Sequence, residues 1–214
     1  PKDANGSRIQ AIVINKELWA WIIPFSNGKT SVGIVGNIDS LIDSEKTNEE
    51  NFNQLLELDD YLKNRVAGSA YVFEPRKITG YSASVKKFNG DRFVLTGNST
   101  EFLDPIFSSG VTFALESGVK AADLVDKELQ GENVNWDKDY VEYIQQGVDV
   151  FRSYVNNWYN GSLHTVFFSK NIDQNFKEQI CSVLAGYVWD KTNPFVKKHG
   201  KVIQNLAKVI DLSQ

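Results

Sequence analysis

The chain has 214 residues, of which 42% are hydrophobic and 23% charged, as in an ordinary globular protein. Its formal net charge is −4 and no basic stripe is visible, which argues against a nucleic-acid partner. Its two histidines lie far apart in the sequence and have no HxxxH or CxxC neighbours, so the sequence predicts no metal site.

The apolar segments and the single cysteine bear on where in the cell the protein is expected. The sequence has no run of about 18 apolar residues, so we expect no integral membrane segment. No signal peptide is visible in a chain that starts at Pro1 and contains no Met, and we predict a cytoplasmic protein. Cys181 lies in an apolar stretch, which predicts a buried and unreactive thiol.

Three segments near the start of the chain have the pattern of β-strands. They are rich in β-branched or aromatic side chains and cover residues 8–14, 19–25 and 30–35. Trp19 and Trp21 in the second segment are two residues apart, so they share one face of the strand. Because Asn27-Gly28 is a strong turn signal, the three segments predict an antiparallel sheet.

Short helices and further strands follow this sheet. Thr47 with Glu50 three residues later is typical of a helix start that is closed by a capping box. The apolar side chains that follow predict a first helix, and a second short helix is predicted after it. The second helix covers residues 59–66, the strands cover residues 81–87 and 92–95, and a turn is predicted at Asn89-Gly90.

From Gly110 onward, apolar residues recur at intervals of three and four, which is the helical period. The predicted helices cover residues 110–131, 137–158, 176–188 and 194–210. A sheet-rich first part and a helix-rich second part predict the fold class α+β. We therefore expect an antiparallel sheet, then a strand–loop–helix motif, then a C-terminal helical region.

Residues 92–125 contain that strand–loop–helix motif. A loop that leads into a helix start presents unpaired backbone N–H groups, which can bind an anion or the electron-rich edge of a ring system. Gly97 and Gly110 would let a planar ligand approach the backbone, and Pro105 would stiffen the loop. These residues alone leave open whether the segment is a ligand site or a simple connection.

The second informative segment is W-A-W-I-I-P at residues 19–24. A strand with two large aromatic side chains on one face explains this pattern by packing alone. Packing is the favoured interpretation of these residues taken alone, and a functional role for Trp19 and Trp21 stays open beside it.

The intervals between Gly97, Pro105 and Gly110 resemble the second flavin-contact motif of the aromatic-hydroxylase-like superfamily of flavoproteins. The resemblance implies that FAD is the cofactor and that Gly97 and Asn98 lie near its ribityl chain. Pro105 would then lie beside the isoalloxazine ring. The N–H groups of Gly110, Val111 and Thr112 would face the pyrimidine edge. The superfamily has Asp where this chain has Asn98, which can form hydrogen bonds but carries no charge.

The segment D-P-I-F-S-S-G at residues 104–110 resembles the D-P-x-F-S-S-G loop of flavin-dependent halogenases. This resemblance implies a halide site at Ser109 and Gly110. Phe107 stands where tryptophan halogenases carry a Glu, which argues against the tryptophan-type mechanism. The segment at residues 19–24 is similar to the W-x-W-x-I-P signature of the same family, so Trp19, Trp21, Pro24 and Phe107 are expected to line the substrate pocket.

The resemblance implies a halogenase-type FAD oxidoreductase, in which a flavin peroxide oxidises a halide for halogenation of a small-molecule or carrier-bound organic substrate. A flavin reductase is a possible partner, and the sequence assigns no catalytic acid or base. Two alternatives stay open: a flavin monooxygenase or dehydrogenase acting on an aromatic or polyene substrate, and a redox-inactive binding fragment.

The family's GxGxxG fingerprint, which cradles the cofactor pyrophosphate, has no counterpart in this sequence. We therefore expect a fragment that is inactive alone and does not hold FAD tightly. Its three predicted parts are a substrate-side sheet with inserted helices at residues 1–96, the flavin and halide loop with its helix at residues 97–131, and a helical region at residues 132–214.

Overall fold

The computed structural model describes residues 6–37, 41 and 43–212, and it divides into two compact units, Pro1–Thr79 and Gly80–Gln214. It contains both helices and antiparallel strand pairs, which confirms the predicted α+β class. The three-part division predicted from the sequence follows expected roles rather than compactness, and it stays a prediction.

The first unit is built on a three-stranded antiparallel sheet with the strand order β1-β2-β3. Gly28 takes a positive φ of 82° in the turn before the third strand, and the Asn27 side-chain oxygen accepts a hydrogen bond from the Lys29 N–H at 3.1 Å. The three predicted strands are confirmed, and their bounds are β1 Gln10–Val13, β2 Leu18–Pro24 and β3 Thr30–Gly36.

Two short helices, α1 (Asn48–Leu56) and α2 (Asp60–Val66), pack against one face of this sheet. The predicted capping box is confirmed, because the Thr47 side chain accepts from the Glu50 N–H and the Glu50 carboxylate accepts from the Thr47 N–H. The fully buried residues of this core are Ala20, Ile22 and Leu62, with Leu56 beside them.

The strands of the second unit are much shorter than predicted. The predicted turn at Asn89-Gly90 is wrong, because these residues pair with Phe93 and Val94 and leave Asp91 and Arg92 as the turn. A Cβ atom at Gly90 would lie 2.4 Å from the Phe93 ring, so this glycine makes room for the ring. The bounds are β4 Ala83–Ser84, β5 Asn89–Gly90, β6 Phe93–Val94 and β7 Glu101–Phe102.

Helices form the rest of the second unit and bury its aromatic core. The core includes Tyr140, Phe151 and Tyr154, each at most 1% exposed. The bounds are α3 Gly110–Leu129, a π-helical turn Asp137–Val141 continued by α4 Glu142–Tyr159, α5 Ser162–Phe168, α6 Gln174–Leu184, α7 Pro194–Lys197 and α8 His199–Leu212. The sequence did not predict α5, and it predicted one helix where α7 and α8 are separated at Lys198.

The predicted burial of Cys181 is wrong, because its side chain is exposed. Helix α6 turns the neighbouring Ile180 and Val183 into the core, and Cys181 lies at a different angle around the helix. Within the described ranges, no helix combines the length and apolar character needed to cross a bilayer.

Candidate functional site

The candidate site begins where β6 ends and a tight 3₁₀ turn, Gly97–Ser99, follows. Gly97 has a φ of +55°, and a Cβ atom there would lie 3.2 Å from the Cβ of Ala114 in α3. The Gly97 N–H donates to the Ser117 Oγ at 2.8 Å. Glycine therefore allows this turn to lie directly against helix α3.

Asn98 and Gly110 come together although they are twelve positions apart in the sequence. A Cβ atom at Gly110 would lie 3.7 Å from the Asn98 Oδ1 and 3.9 Å from the Phe102 ring. Asn98 is exposed, and its amide forms no hydrogen bond with any residue that the structure describes. The Asn98 amide is therefore accessible beside the start of α3.

The 104–110 loop contains a second 3₁₀ turn, Pro105–Phe107, whose ends are both fixed. The Asp104 Oδ1 accepts a hydrogen bond from the Ile106 N–H at 3.1 Å, as an N-cap does. The turn ends at Ser108, which has the left-handed backbone angles φ 51° and ψ 35°. This conformation disfavours residues with a Cβ atom, so the loop stores a small amount of strain at Ser108.

The start of α3 has no side-chain cap. Ser109 is the N-cap residue and is 5% exposed, yet its hydroxyl makes no hydrogen bond to the helix. The first helical bond runs from the Phe113 N–H to the Ser109 carbonyl at 3.1 Å. Among the described residues, no acceptor meets the N–H groups of the first helical turn, which are those of Gly110, Val111 and Thr112. These N–H groups and the helix dipole give this end a partial positive charge.

Phe107 is fixed by the helical core of the second unit. Its ring packs edge-on against Tyr154, with ring centroids 6.3 Å apart, and against Trp158 at 6.0 Å. Both partners lie one turn apart on α4. This side of the loop is therefore held by aromatic packing.

Asp104 is held by two tyrosines that no motif in the sequence indicates. Its Oδ2 accepts from the Tyr159 hydroxyl at 2.9 Å and from the Tyr81 hydroxyl at 3.1 Å. Burial, and next the negative charge of Asp104, raise the pKa of Tyr81, so its hydroxyl stays a donor. Asp104 therefore both caps the 3₁₀ turn and holds the loop.

The two tryptophans lie on β2 in the first unit, on one face as predicted. Their ring centroids are 5.9 Å apart, and Trp19 is 3% exposed while Trp21 is half-buried. The Trp21 ring crosses Gly33 on β3, where a Cβ atom would lie 2.1 Å from the ring, and its N–H donates to the Ser31 Oγ at 3.1 Å. Pro24 ends the strand. The pocket role of these residues stays a prediction.

Metal-ligating side chains do not converge near this loop or elsewhere in the described ranges, where no group of three or more His, Cys, Asp or Glu residues could hold an ion. Another carboxylate–phenol pair lies farther along α3. The Tyr143 hydroxyl donates to the Glu116 Oε1 at 2.5 Å, and burial is the main cause of the raised pKa of Tyr143.

Curated relatives of the chain are halogenating enzymes. A 1H-pyrrole-2-carbonyl-[peptidyl-carrier protein] chlorinase from Pseudomonas fluorescens is 30% identical over 179 residues, which are 80% of this chain and 38% of the relative. A corresponding brominase from Pseudoalteromonas luteoviolacea is 25% identical over 181 residues, 80% of this chain and 42% of the relative. The flavin-dependent halogenase armH3 from Armillaria mellea is 32% identical over 127 residues, 53% of this chain and 25% of the relative.

Two solved structures share the fold of this chain. A flavoprotein/dehydrogenase from Cytophaga hutchinsonii superposes with a TM-score of 0.94 and 53% identity, over 99% of this chain and 52% of that chain. The flavin-dependent brominase Bmp2 shares the fold, with a TM-score of 0.77 and 19% identity, over 97% of this chain and 52% of that chain.

No protein-family model matches the chain. The chain spans about two fifths of the length of the first two curated relatives. The matches to the first two halogenating relatives each cover 80% of this chain. The curated homologues of this chain are therefore flavin-dependent halogenases, and the chain corresponds to part of their length.

Proposed function

We propose that this chain is the substrate-side part of an FAD-dependent oxidoreductase of the halogenase type. The observation that carries the proposal is the uncapped start of α3, which lies beside the Gly97 turn and the accessible Asn98 amide. An uncapped helix start with free N–H groups suits an electron-rich ring edge or an anion.

The described residues fit the isoalloxazine end of FAD. Gly97 and Asn98 would hold the ribityl chain, because the Asn98 amide can both donate to and accept from a hydroxyl group. Pro105 would lie beside the ring, and the N–H groups from Gly110 to Thr112 would bind its pyrimidine edge. Bound flavin would supply the oxygen-dependent oxidising chemistry. Asn98 adds no negative charge, so these hydrogen bonds are neutral.

A halide would bind at Ser109 and Gly110. The Ser109 hydroxyl makes no hydrogen bond to the helix, so it can donate to an ion. The Gly110 N–H lies at the first residue of α3, where the helix dipole gives a partial positive charge. A monovalent anion is therefore a suitable ligand for this pair of donors.

The substrate we propose is a small-molecule or carrier-bound organic compound. The chlorinase and brominase relatives are described as acting on a pyrrole carbonyl group bound to a peptidyl-carrier protein. Trp19, Trp21 and Phe107 are proposed substrate contacts, because flat aromatic side chains suit a flat organic ring, and Pro24 is proposed as a further apolar contact. A flavin reductase would supply reduced flavin, and we place the enzyme in the cytoplasm, where an exposed, unpaired Cys181 is stable in its reduced form.

The test uses the natural gene product that includes this sequence. Its visible absorbance is recorded, and it is then assayed with a flavin reductase, oxygen, bromide and monochlorodimedone as the halogen acceptor. Flavin absorbance with bromide-dependent loss of the acceptor is expected. Flavin absorbance without halogenation would contradict the halogenase assignment. A protein without flavin would favour a redox-inactive binding role.

Dehydrogenation is the second candidate function. The Cytophaga hutchinsonii protein, described as a flavoprotein/dehydrogenase, is 53% identical over 99% of this chain. A dehydrogenase or a monooxygenase on an aromatic or polyene substrate would use the same flavin contacts without the halide. Substrate turnover that is unchanged when bromide and chloride are removed would favour this second function.

A further inference from the structure

Asp104 receives three hydrogen bonds from three parts of the chain. One comes from the Ile106 N–H within the loop, and the others come from Tyr81 and Tyr159, which lie 23 and 55 positions away in sequence. Both tyrosines share the Oδ2 atom, while Oδ1 serves the loop backbone. Each carboxylate oxygen therefore has its own function, and an amide at this position would offer only one acceptor atom.

The loop needs this restraint because its backbone is not relaxed. Ser108 has a φ of 51°, a conformation that costs a residue with a Cβ atom about 1 kcal/mol or more. Strained residues persist where the surroundings over-determine them. Here the turn before Ser108 is held on one side by the Asp104 hydrogen bonds and on the other by the packing of Phe107 against Tyr154.

Helix α4 provides contacts on both sides. Tyr159 is the last residue of this helix, and its hydroxyl donates a hydrogen bond to Asp104. Tyr154 and Trp158 pack on Phe107. The end of α4 therefore determines the path of the loop up to Ser108. Ser109 and Gly110 follow immediately, so their positions depend on this contact.

We propose that Tyr81, Asp104 and Tyr159 form a tyrosine clamp of positioning residues that sets the affinity of the Ser109–Gly110 site for halide. The part that concerns halide rests on the proposed function. The clamp does not touch the ion. It acts by keeping the Ser109 hydroxyl and the Gly110 N–H in one arrangement. The loop is then already ordered before an ion binds, so binding does not include the entropy cost of ordering it.

The first test measures amide hydrogen exchange of the 104–110 peptide in this chain. Tyr159→Phe, Tyr81→Phe and Asp104→Asn each remove part of the clamp without a large change in shape. We expect exchange in this peptide to become faster by on the order of tenfold, since each change loses a hydrogen bond to a charged group. Tyr143→Phe is the matched control, because it also removes one phenol–carboxylate bond but does not touch the loop. Unchanged exchange in all three clamp variants would overturn the clamp.

The second test measures bromide dependence in the flavin-loaded natural gene product. We expect the KM for bromide to rise about tenfold in Tyr159→Phe, with kcat at saturating bromide and the KM for the organic substrate nearly unchanged, because only the halide donors lose their order. Faster exchange with an unchanged bromide KM would overturn the positioning role. Faster exchange in a protein that shows no bromide-dependent reaction at all would support the clamp and overturn the halogenase function.

Discussion

The tryptophan strand of the first unit and the 104–110 loop of the second unit are stabilised in different ways. In β2, the position of each side chain follows from regular pairing, as Trp21 lies opposite Gly33 and its ring fills the space of the missing side chain. In the loop, Asp104 and Phe107 are placed by side chains distant in sequence. Local pattern therefore determines the strand, whereas tertiary contacts determine the loop.

The largest effect is expected from Gly33→Ala. The new Cβ atom would lie 2.1 Å from the Trp21 ring, so the ring must leave its place across the strand. Overpacking of this kind costs about 3 kcal/mol in the free energy of unfolding, measured by urea denaturation. Gly118→Ala in α3 is the control, because nothing lies near its added Cβ atom, and it should stabilise the protein slightly. Equal stability of Gly33→Ala and the parent would show that the ring is free to move.

The loop should respond to loss of its anchor with a smaller change. Asp104→Ala removes the acceptor of three hydrogen bonds, and we expect about 2 kcal/mol of destabilisation because the site is only half-buried. The same denaturation experiment measures it. If the free energy of unfolding fell only as much as it does for a substitution at an exposed surface position, packing of Phe107 alone would hold the loop.

Alkaline pH should weaken the loop through Tyr81. Burial and the charge of Asp104 raise the pKa of this phenol above its ordinary value of 10.0, so the folded state favours the protonated form. Its contribution to stability is complete below pH 10 and is lost as the pH rises towards the folded-state pKa, because the unfolded chain releases the proton first. Unfolding followed between pH 8 and pH 12 should show a shallower decline in Tyr81→Phe than in the parent, whereas parallel curves would contradict this.

The smallest effect is expected from Ser108→Gly. Glycine removes the steric cost of a φ of 51° but adds conformational freedom to the unfolded chain, so a net gain of about 0.5 kcal/mol is expected. Thermal unfolding is sensitive enough to detect it. A loss of stability would indicate that the Ser108 side chain stabilises the loop.

The same contrast explains what the sequence predicted. The three strands and the Thr47 capping box have local signals, and the structure contains them. The intervals between Gly97, Pro105 and Gly110 predicted a flavin-type loop through the family resemblance alone, and this role stays a prediction.

Contacts between distant residues had no such signal. Tyr159 lies in a helix where an aromatic residue fits ordinary core packing, and nothing local indicates that its hydroxyl reaches Asp104. Gly90 was interpreted as a turn residue, although its role is to accommodate the Phe93 ring. Cys181 was predicted to be buried from its apolar neighbours, but the helical angle of each residue decides its exposure.

The central claim, a halide site at the uncapped start of α3, is tested most directly by a bromide titration of the Ser109→Ala enzyme. We predict that its KM for bromide rises about tenfold, as expected for loss of one hydrogen-bond donor to the ion, while the flavin spectrum is unchanged. Ser69→Ala, which removes an exposed hydroxyl far from the loop in sequence, should leave the bromide KM near that of the parent. A bromide KM in Ser109→Ala equal to that of the parent would contradict the account.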